Sequence, residues 1–275
     1  MLPRRTKLLL CDREIKSSYS PSGHTGIDLD RASLRGLAST ALGYFTPDAC
    51  EALFKLHEAV LNAGGDFRVT DGFRSTETQS AARKKYENWL RDFQPAPNSK
   101  EFDPKRHKAA FVALPGRSFH NAGRAIDVHV DALRFPDVSR ERQLDRLWEL
   151  AIPLGWTPII KAPTEGMSEC WHFDFMGPWA PVVTRRGYEE AAIGAVLCTG
   201  DNSAFVACGS VRRIQSQLHR AGYDCGKIDG VFGPLTEAAL YASGFRKLYS
   251  DTAAAIAWVD ELADSPIVKF KRPGG

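Results

Sequence analysis

Ser118-Phe119-His120-Asn121-Ala122-Gly123-Arg124-Ala125-Ile126-Asp127 and, later in the chain, Glu169-Cys170-Trp171-His172 are the stretches on which the reading turns. Together they offer two imidazoles and two carboxylates, the donor inventory of a catalytic zinc site, which takes three protein ligands and leaves a fourth position open. His120, Asp127 and His172 are the expected ligands of a Zn2+ ion. Glu169 is then the free carboxylate, able to take a proton from water and pass it to a leaving amine. The metal adds what a lone carboxylate lacks, because it brings the pKa of its water to about 7 and polarises a scissile carbonyl. Gly123 allows a turn that carries His120 and Asp127 to one ion. Glu169 and His172 stand three apart, which on a flat strand puts them on opposite faces. A bend at Glu169 is therefore expected, with Pro163, Gly166 and Met167-Ser168 just ahead of it.

Outward from these motifs, the chain alternates helices with short strands. Asp48 to Ala63 has Leu53, Leu56, Val60 and Leu61 at helical spacing and is stopped by Gly64-Gly65. Phe67 to Thr70 is a short strand that runs into the turn Asp71-Gly72. Ser75 caps a second helix to Phe93, carrying Tyr86, Trp89 and Leu90. Gln94 to Lys108, with several prolines and charges, is a surface loop. Ala125 to Val130 alternates like a strand. Arg140 to Leu154 is a helix with Leu144, Leu147, Trp148 and Ala151 on one face, and Cys170 to Phe175 is a further strand. The fold class is α+β: a small antiparallel sheet flanked by helices and carrying the zinc site over 31–185, with 1–30 an N-terminal arm.

The composition changes after Pro181. The Ala/Gly-rich stretch Ala191 to Gly209 reads as a linker with room for one short helix; the division puts the linker at 186–207 and a small all-α domain at 208–265. In it Val211, Ile214 and Leu218 form one stripe of a helix, Val211 to Ala221. A loop with four glycines, Gly222 to Gly233, ends in Pro234 at the first position of the next helix. That helix runs to about Ala242, Thr252 to Leu262 supplies a third, and 266–275 is a basic tail.

Composition excludes several classes. Over 275 residues, 43% hydrophobic and 25% charged residues are the values of a globular protein. Thirty-six Lys and Arg against 33 Asp and Glu give a net charge of +3, too slight to argue for nucleic acid. The longest apolar run, Ala191 to Cys198, is eight residues, whereas a membrane-spanning helix needs about 20. Arg4, Arg5 and Lys7 imitate a secretion signal, but Leu8 to Cys11 is only four residues long and Asp12 to Glu14 close it. A signal needs an apolar stretch of about 7 to 15 residues. Synthesis in the cytoplasm without a recognisable signal peptide is expected, as a monomer. The six cysteines lack the CxxC spacing of structural zinc; they read as mostly thiols, with Cys208 and Cys225 the pair to consider.

The pattern SxHxxGxAxD followed by ExWH resembles the zinc D-alanyl-D-alanine carboxypeptidases and dipeptidases, a family that includes phage endolysin peptidases. The resemblance covers about residues 40 to 180. It implies zinc binding by His120, Asp127 and His172 and a catalytic base at Glu169. Gly72-Phe73-Arg74-Ser75 matches the family's GxRS-type turn, which implies that Arg74 holds the substrate carbonyl as charge builds. Gln79 corresponds to a family glutamine, and Ser118 to a serine beside the substrate. Further on, Val211 to Leu218, Gly222-Tyr223, Ile228-Asp229-Gly230-Val231-Phe232-Gly233 and Thr236 resemble the three-helix peptidoglycan-binding domain, departing from it at Tyr241 to Phe245. That resemblance makes Asp229 a candidate wall contact.

Other readings stand beside these. His24, His57, His107 and His219 read as ordinary surface or core histidines. His129 falls on the strand side of Asp127, with a role behind the ligands or in solvent, and Cys170 shares a strand side with His172. The expected function is zinc-dependent hydrolysis of a peptide bond in the peptidoglycan stem, of D,D-carboxypeptidase or endopeptidase type. Release through a phage holin, as an endolysin, is the expected route to the wall, and secretion as an antibacterial effector is the other. An L-Ala-D-Glu endopeptidase is the alternative bond specificity. A zinc-stabilised binding protein without turnover, like the signalling domain of hedgehog proteins, is the alternative of another class.

Overall fold

The computed structural model describes residues 9–10, 44–92, 112–163, 169–198, 209–247 and 252–264. The loop expected over Gln94 to Lys108, most of the N-terminal arm, the basic tail, Met167-Ser168, His24, His107 and Cys208 lie outside them. The described residues up to Gly177 form one compact unit and those from Pro178 a second.

The first unit is built on a four-stranded antiparallel sheet. In chain order the strands are β1 (Leu9–Leu10), β2 (Tyr44–Phe45), β3 (Val69–Asp71), β4 (Ala125–Val128), β5 (Trp156–Pro158) and β6 (His172–Phe175). The sheet runs β3-β4-β6-β5, and β1 pairs separately with β2. Part of the expected N-terminal arm is thus a strand, a pairing between residues too distant in sequence to read locally. Also unforeseen is β5, three residues ending in Pro158 and too short to show alternation. Proline suits its edge position, because it has no N–H to give the ladder.

Two-residue periodicity decides which side of the sheet does what. Ile126, Val128 and Phe173 face a core that also holds Val69 and Trp156. The alternate positions Asp127, His172 and Asp174 turn to the other face. Against the apolar face lies helix α1 (Pro47–Asn62), which starts with Pro47 and an early Asp48 and buries Ala49, Ala52, Leu53, Leu56 and Val60. Helix α3 (Gln143–Ala151) adds Leu144, Leu147 and Ala151. Between α1 and α3 in sequence, α2 (Thr76–Asp92) begins where Ser75 Oγ accepts the Thr78 N–H at 3.1 Å, the cap expected of that serine. Arg124 fastens α1 to the sheet: its guanidinium meets both oxygens of Asp48 at 2.8 Å and donates to the Phe175 carbonyl at 3.0 Å.

In the second unit, helices α4 (Ala180–Arg186) and α5 (Tyr188–Leu197) precede α6 (Gly209–Arg220), α7 (Pro234–Ala242) and α8 (Thr252–Asp264). The last three are the helices the sequence predicts. The stretch read as linker holds the one short helix for which it has room: α5 occupies much of it, and Ala191 to Leu197 are all buried. A run this apolar gains more by packing than by spanning solvent. Cys225 is a free thiol, buried, donating to the Gln215 carbonyl at 3.3 Å, and burial pushes its pKa up to about 12. Among the described residues no helix is long and apolar enough to cross a membrane.

Candidate metal centre

The register of the sheet assembles the site. Asp127 on β4 lies directly opposite His172 on β6, and Ala125 opposite Asp174. On the other side of β4, a register shift in β3 brings Asp71 opposite Asp127, although Val69 already pairs with Val128. Such a bulge re-aims side chains at the rim of a site. His120 reaches the same place from a 3-10 turn, Phe119–Ala122. Ser118 Oγ caps that turn by accepting the His120 N–H at 3.2 Å, and Gly123 closes it at φ 64, the left-handed region glycine favours.

His120 Nε2 lies 3.2 Å from His172 Nδ1 and 3.2 Å from Asp127 Oδ1, and His172 Nδ1 lies 3.0 Å from the same oxygen. Ligands of a tetrahedral zinc, with bonds near 2.0–2.1 Å, stand roughly 3.3 Å apart. The triangle fits one ion.

Tautomers make the fit chemical as well as geometric. His120 Nδ1 is 2.6 Å from the Gly72 carbonyl, an oxygen that can only accept, so Nδ1 carries the proton. His172 Nε2 is 2.9 Å from Asp174 Oδ1 and likewise donates. In the neutral rings, His120 Nε2 and His172 Nδ1 are therefore bare, and two nitrogen lone pairs face a carboxylate oxygen at contact distance. That arrangement is repulsive unless a metal ion, or in its place a proton on a ring nitrogen, lies among the three. The surrounding charges act in the same sense. Burial opposes a charge on His172, yet Asp174 and Asp127 outweigh it and hold the ring's pKa well above the ordinary value. Burial likewise opposes ionisation of Asp127, but the two histidines draw its pKa down. His120, Asp127 and His172 are the described residues whose ligand atoms could hold a metal ion.

Glu169 stands at the rim on the expected bend. Its φ of 69° is the sole left-handed backbone among described non-glycine residues, a conformation costing roughly 1–2 kcal/mol. Its carbonyl accepts the His172 N–H at 3.1 Å, so the bend is locked to the start of β6. Burial raises the pKa of its carboxyl and Asp127 adds to this, while His172, His120 and Arg74 pull the other way. The carboxyl is thus within electrostatic reach of all four.

Arg74 sits beside Asp127, with Nη2 3.7 Å from Asp127 Oδ2. Nε donates to Asp71 Oδ2 at 3.1 Å, Nη2 donates to the same oxygen, and Nη1 donates to Gln79 Oε1 at 3.0 Å. A guanidinium has five N–H groups; with those three spent, one on each terminal nitrogen is left to give. Burial disfavours its charge, but Asp71 and Asp127 outweigh that and raise its pKa. Gln79 is buried, with its amide N–H on the Ala113 carbonyl at 2.7 Å, so it holds Arg74 from inside the protein. Ser118 is buried too, its oxygen engaged by the His120 amide. Cys170 and Phe173 lie in the core with Trp171 packed against it, and His129 is outside the metal cluster. Asp229 is on the second unit, exposed, holding its own loop through Gln215 and the Val231 N–H. The sequence reading missed Asp71 and Asp174. The signal for Asp174 was its place two residues after His172, on the same strand face.

Residues 43–178 match the VanY family, described as D-alanyl-D-alanine carboxypeptidase, and residues 209–242 match a peptidoglycan-binding domain. Among solved structures the chain is similar to the LdcB LD-carboxypeptidase, at 29% identity over 52% of this chain and 71% of that one, with a TM-score of 0.32. It is also similar to a point variant of the vancomycin-resistance D,D-pentapeptidase VanY in complex with Zn(II), at 19% identity over 68% and 93% of the two chains, TM-score 0.34. VanYB in complex with D-alanine-D-alanine gives 19%, 68% and 92%, with a TM-score of 0.36. No curated protein sequence matches the chain. The chain carries a VanY-family carboxypeptidase domain followed by a peptidoglycan-binding domain, and is a peptidoglycan-acting peptidase of that type.

Proposed function

We propose that this chain is a zinc-dependent peptidase that cuts a peptide bond in the peptidoglycan stem, of D,D-carboxypeptidase or D,D-endopeptidase type. The observation that carries the proposal is the convergence of two bare imidazole nitrogens and a carboxylate oxygen within 3.2 Å of one another. His120 Nε2, His172 Nδ1 and Asp127 would hold the ion, with Gly72 and Asp174 fixing the two rings. Zinc in that position supplies a Lewis acid for the scissile carbonyl and acidifies water.

The remaining steps belong to the chain's own groups. Glu169, next to the three ligands, takes a proton from the attacking water on its carboxylate and returns it to the departing amine. The two unspent N–H groups of Arg74 stabilise the oxygen on which negative charge develops. Asp71 and Gln79 keep the guanidinium aimed there, and Ser118 acts through the turn that presents His120. A non-catalytic zinc-stabilised binder would need neither Glu169 nor Arg74 at the cluster.

The division at 31–185 and 208–265 is part of the proposal: a peptidase joined to a wall-binding module, with Asp229 among the wall contacts. Tethering raises the local concentration of a polymeric substrate without any new contact at the active site. A phage endolysin released through a holin suits such a pair, and an effector delivered by secretion is the alternative. Mass spectrometry of muropeptides after digestion of purified walls tests the function. Loss of a terminal D-alanine or of a D,D cross-link is expected, whereas cleavage at L-Ala-D-Glu or intact muropeptides would contradict it.

A further inference from the structure

The second unit is larger than its family match. The match starts at residue 209, yet α4 and α5 pack within the same unit and reach the glycine-rich loop between α6 and α7. Ile193 and Leu197 of α5 form a buried cluster with Ile228 of that loop. Gly194 makes the approach possible: a Cβ there would lie 2.5 Å from the Trp179 ring and 2.9 Å from Ile228 Cδ1. One turn earlier on α5, the Glu190 carboxylate accepts the backbone N–H of Ile228. Arg186 of α4 pairs with Asp224 at 2.9 Å.

The same loop is gripped from its other side by α6. Gln215 Nε2 donates to Asp229 Oδ1 at 3.0 Å and to the Val231 carbonyl at 3.1 Å, while its Oε1 accepts the Gly230 N–H at 2.9 Å. His219 Nε2 donates to the Gly226 carbonyl at 2.8 Å. Held between two helical layers, the loop displays an exposed Asp229 and Val231 at 64% exposure, beside Leu235 of α7 at 61%. A loop with four glycines has much conformational freedom to lose, and fixing it beforehand removes that cost from binding. The exposed Arg186–Asp224 pair contributes little to this. The half-buried, charge-assisted bond from Ile228 to Glu190 contributes more.

We infer that the α4–α5 hairpin is part of the wall-binding site, with Glu190 as the positioning residue that sets the Ile228-Asp229-Gly230 turn for contact with peptidoglycan. The inference rests on the reading of the second unit as a wall-binding module. Its test is co-sedimentation of the full-length chain with purified peptidoglycan sacculi, alongside turnover of a soluble muropeptide and a thermal melt. Glu190→Ala is expected to bind about tenfold more weakly, the worth of one lost charge-assisted hydrogen bond. Turnover of the soluble substrate stays unchanged. Glu190→Gln keeps an acceptor without its charge and falls between, about threefold weaker than wild type. Wild-type binding by Glu190→Gln overturns the inference, even where Glu190→Ala also lowers the melting temperature. Failure of the wild type itself to sediment overturns the wall-binding reading, a different result from equal sedimentation of all three proteins.

Discussion

Both units bury polar side chains, but to opposite ends. In the second unit Arg213 meets Asp260 through Nε and Nη2 at 3.2 and 2.9 Å, and Gln217 donates to the same carboxylate at 2.8 Å. Gln215 spends both ends of its amide on the loop. In this network Arg213, Gln215 and Gln217 find their acceptors inside the protein, and the network specifies a shape. In the first unit His120, His172 and Asp127 turn three electron-rich atoms towards one point, and Asp174 Oδ2 has no hydrogen-bond partner among the described residues. Polar groups that satisfy one another build architecture, whereas like-poled atoms that converge describe the ligand they await.

The sharpest way to break this contrast is to remove the convergence. His172→Ala or His120→Ala should abolish both tight zinc binding and hydrolysis, as a chelator should, measured by metal content and by clearing of a wall suspension. Wild type should also melt higher with zinc than without, by about 2.7 kcal/mol at a hundredfold excess over its dissociation constant. Glu169→Ala should keep the metal and lose about 10²–10⁴ in turnover, the usual contribution of a general base. Clearing that survives this substitution would remove Glu169 from the chemistry.

A step down in size, Arg74→Ala should cost about 10²–10³ in kcat, as removal of an oxyanion donor does. Asp71→Ala should cost less, about 10–100-fold, because Gln79 still holds one end of the guanidinium. Metal content should be normal in both. On the other side of the comparison, Asp260→Ala leaves Arg213 buried and unpaired and should destabilise the second unit by about 3–5 kcal/mol in thermal or denaturant unfolding. Turnover of a soluble peptide should be unaffected, and its loss would show that the two networks are not separate in function.

The smallest effect concerns pH. Burial works against the Asp48 charge, but Arg124 outweighs it and holds the carboxyl below its ordinary value. A carboxyl depressed in the folded state contributes stability that is complete above the unfolded pKa and lost as pH falls through the folded one. Asp48→Asn should therefore lower stability at neutral pH and narrow its difference from wild type below pH about 4, as seen in melts across that range.

The candidate metal constellation was legible because its chemistry is carried by rare residue types at short spacing. Even the bend at Glu169 followed from a mismatch between a three-residue step and a two-residue strand period. What escaped supports the ligands from behind. Asp71 faces Asp127 only because of a bulge, a relation across strands that leaves no local trace. Asp174 holds the far nitrogen of His172 from two residues along the same strand, a spacing that shows the shared face but not the hydrogen bond. Ser118 and Gln79 could be found by motif, but not that their polar atoms are turned inward on His120 and Arg74. Helices were legible from their stripes, whereas the two- and three-residue strands β1, β2 and β5 owe their existence to partners elsewhere in the chain. The run Ala191 to Cys198 was visible as apolar, and its role in packing emerged only with Ile228 beside it.

Crystals of the zinc-loaded full-length chain, with anomalous diffraction collected at the zinc absorption edge, test the central claim most directly. One peak is predicted, about 2.0–2.2 Å from His120 Nε2, His172 Nδ1 and an Asp127 oxygen, with the Glu169 carboxyl beside it. A peak bound by other residues, or none between these three, would contradict the account.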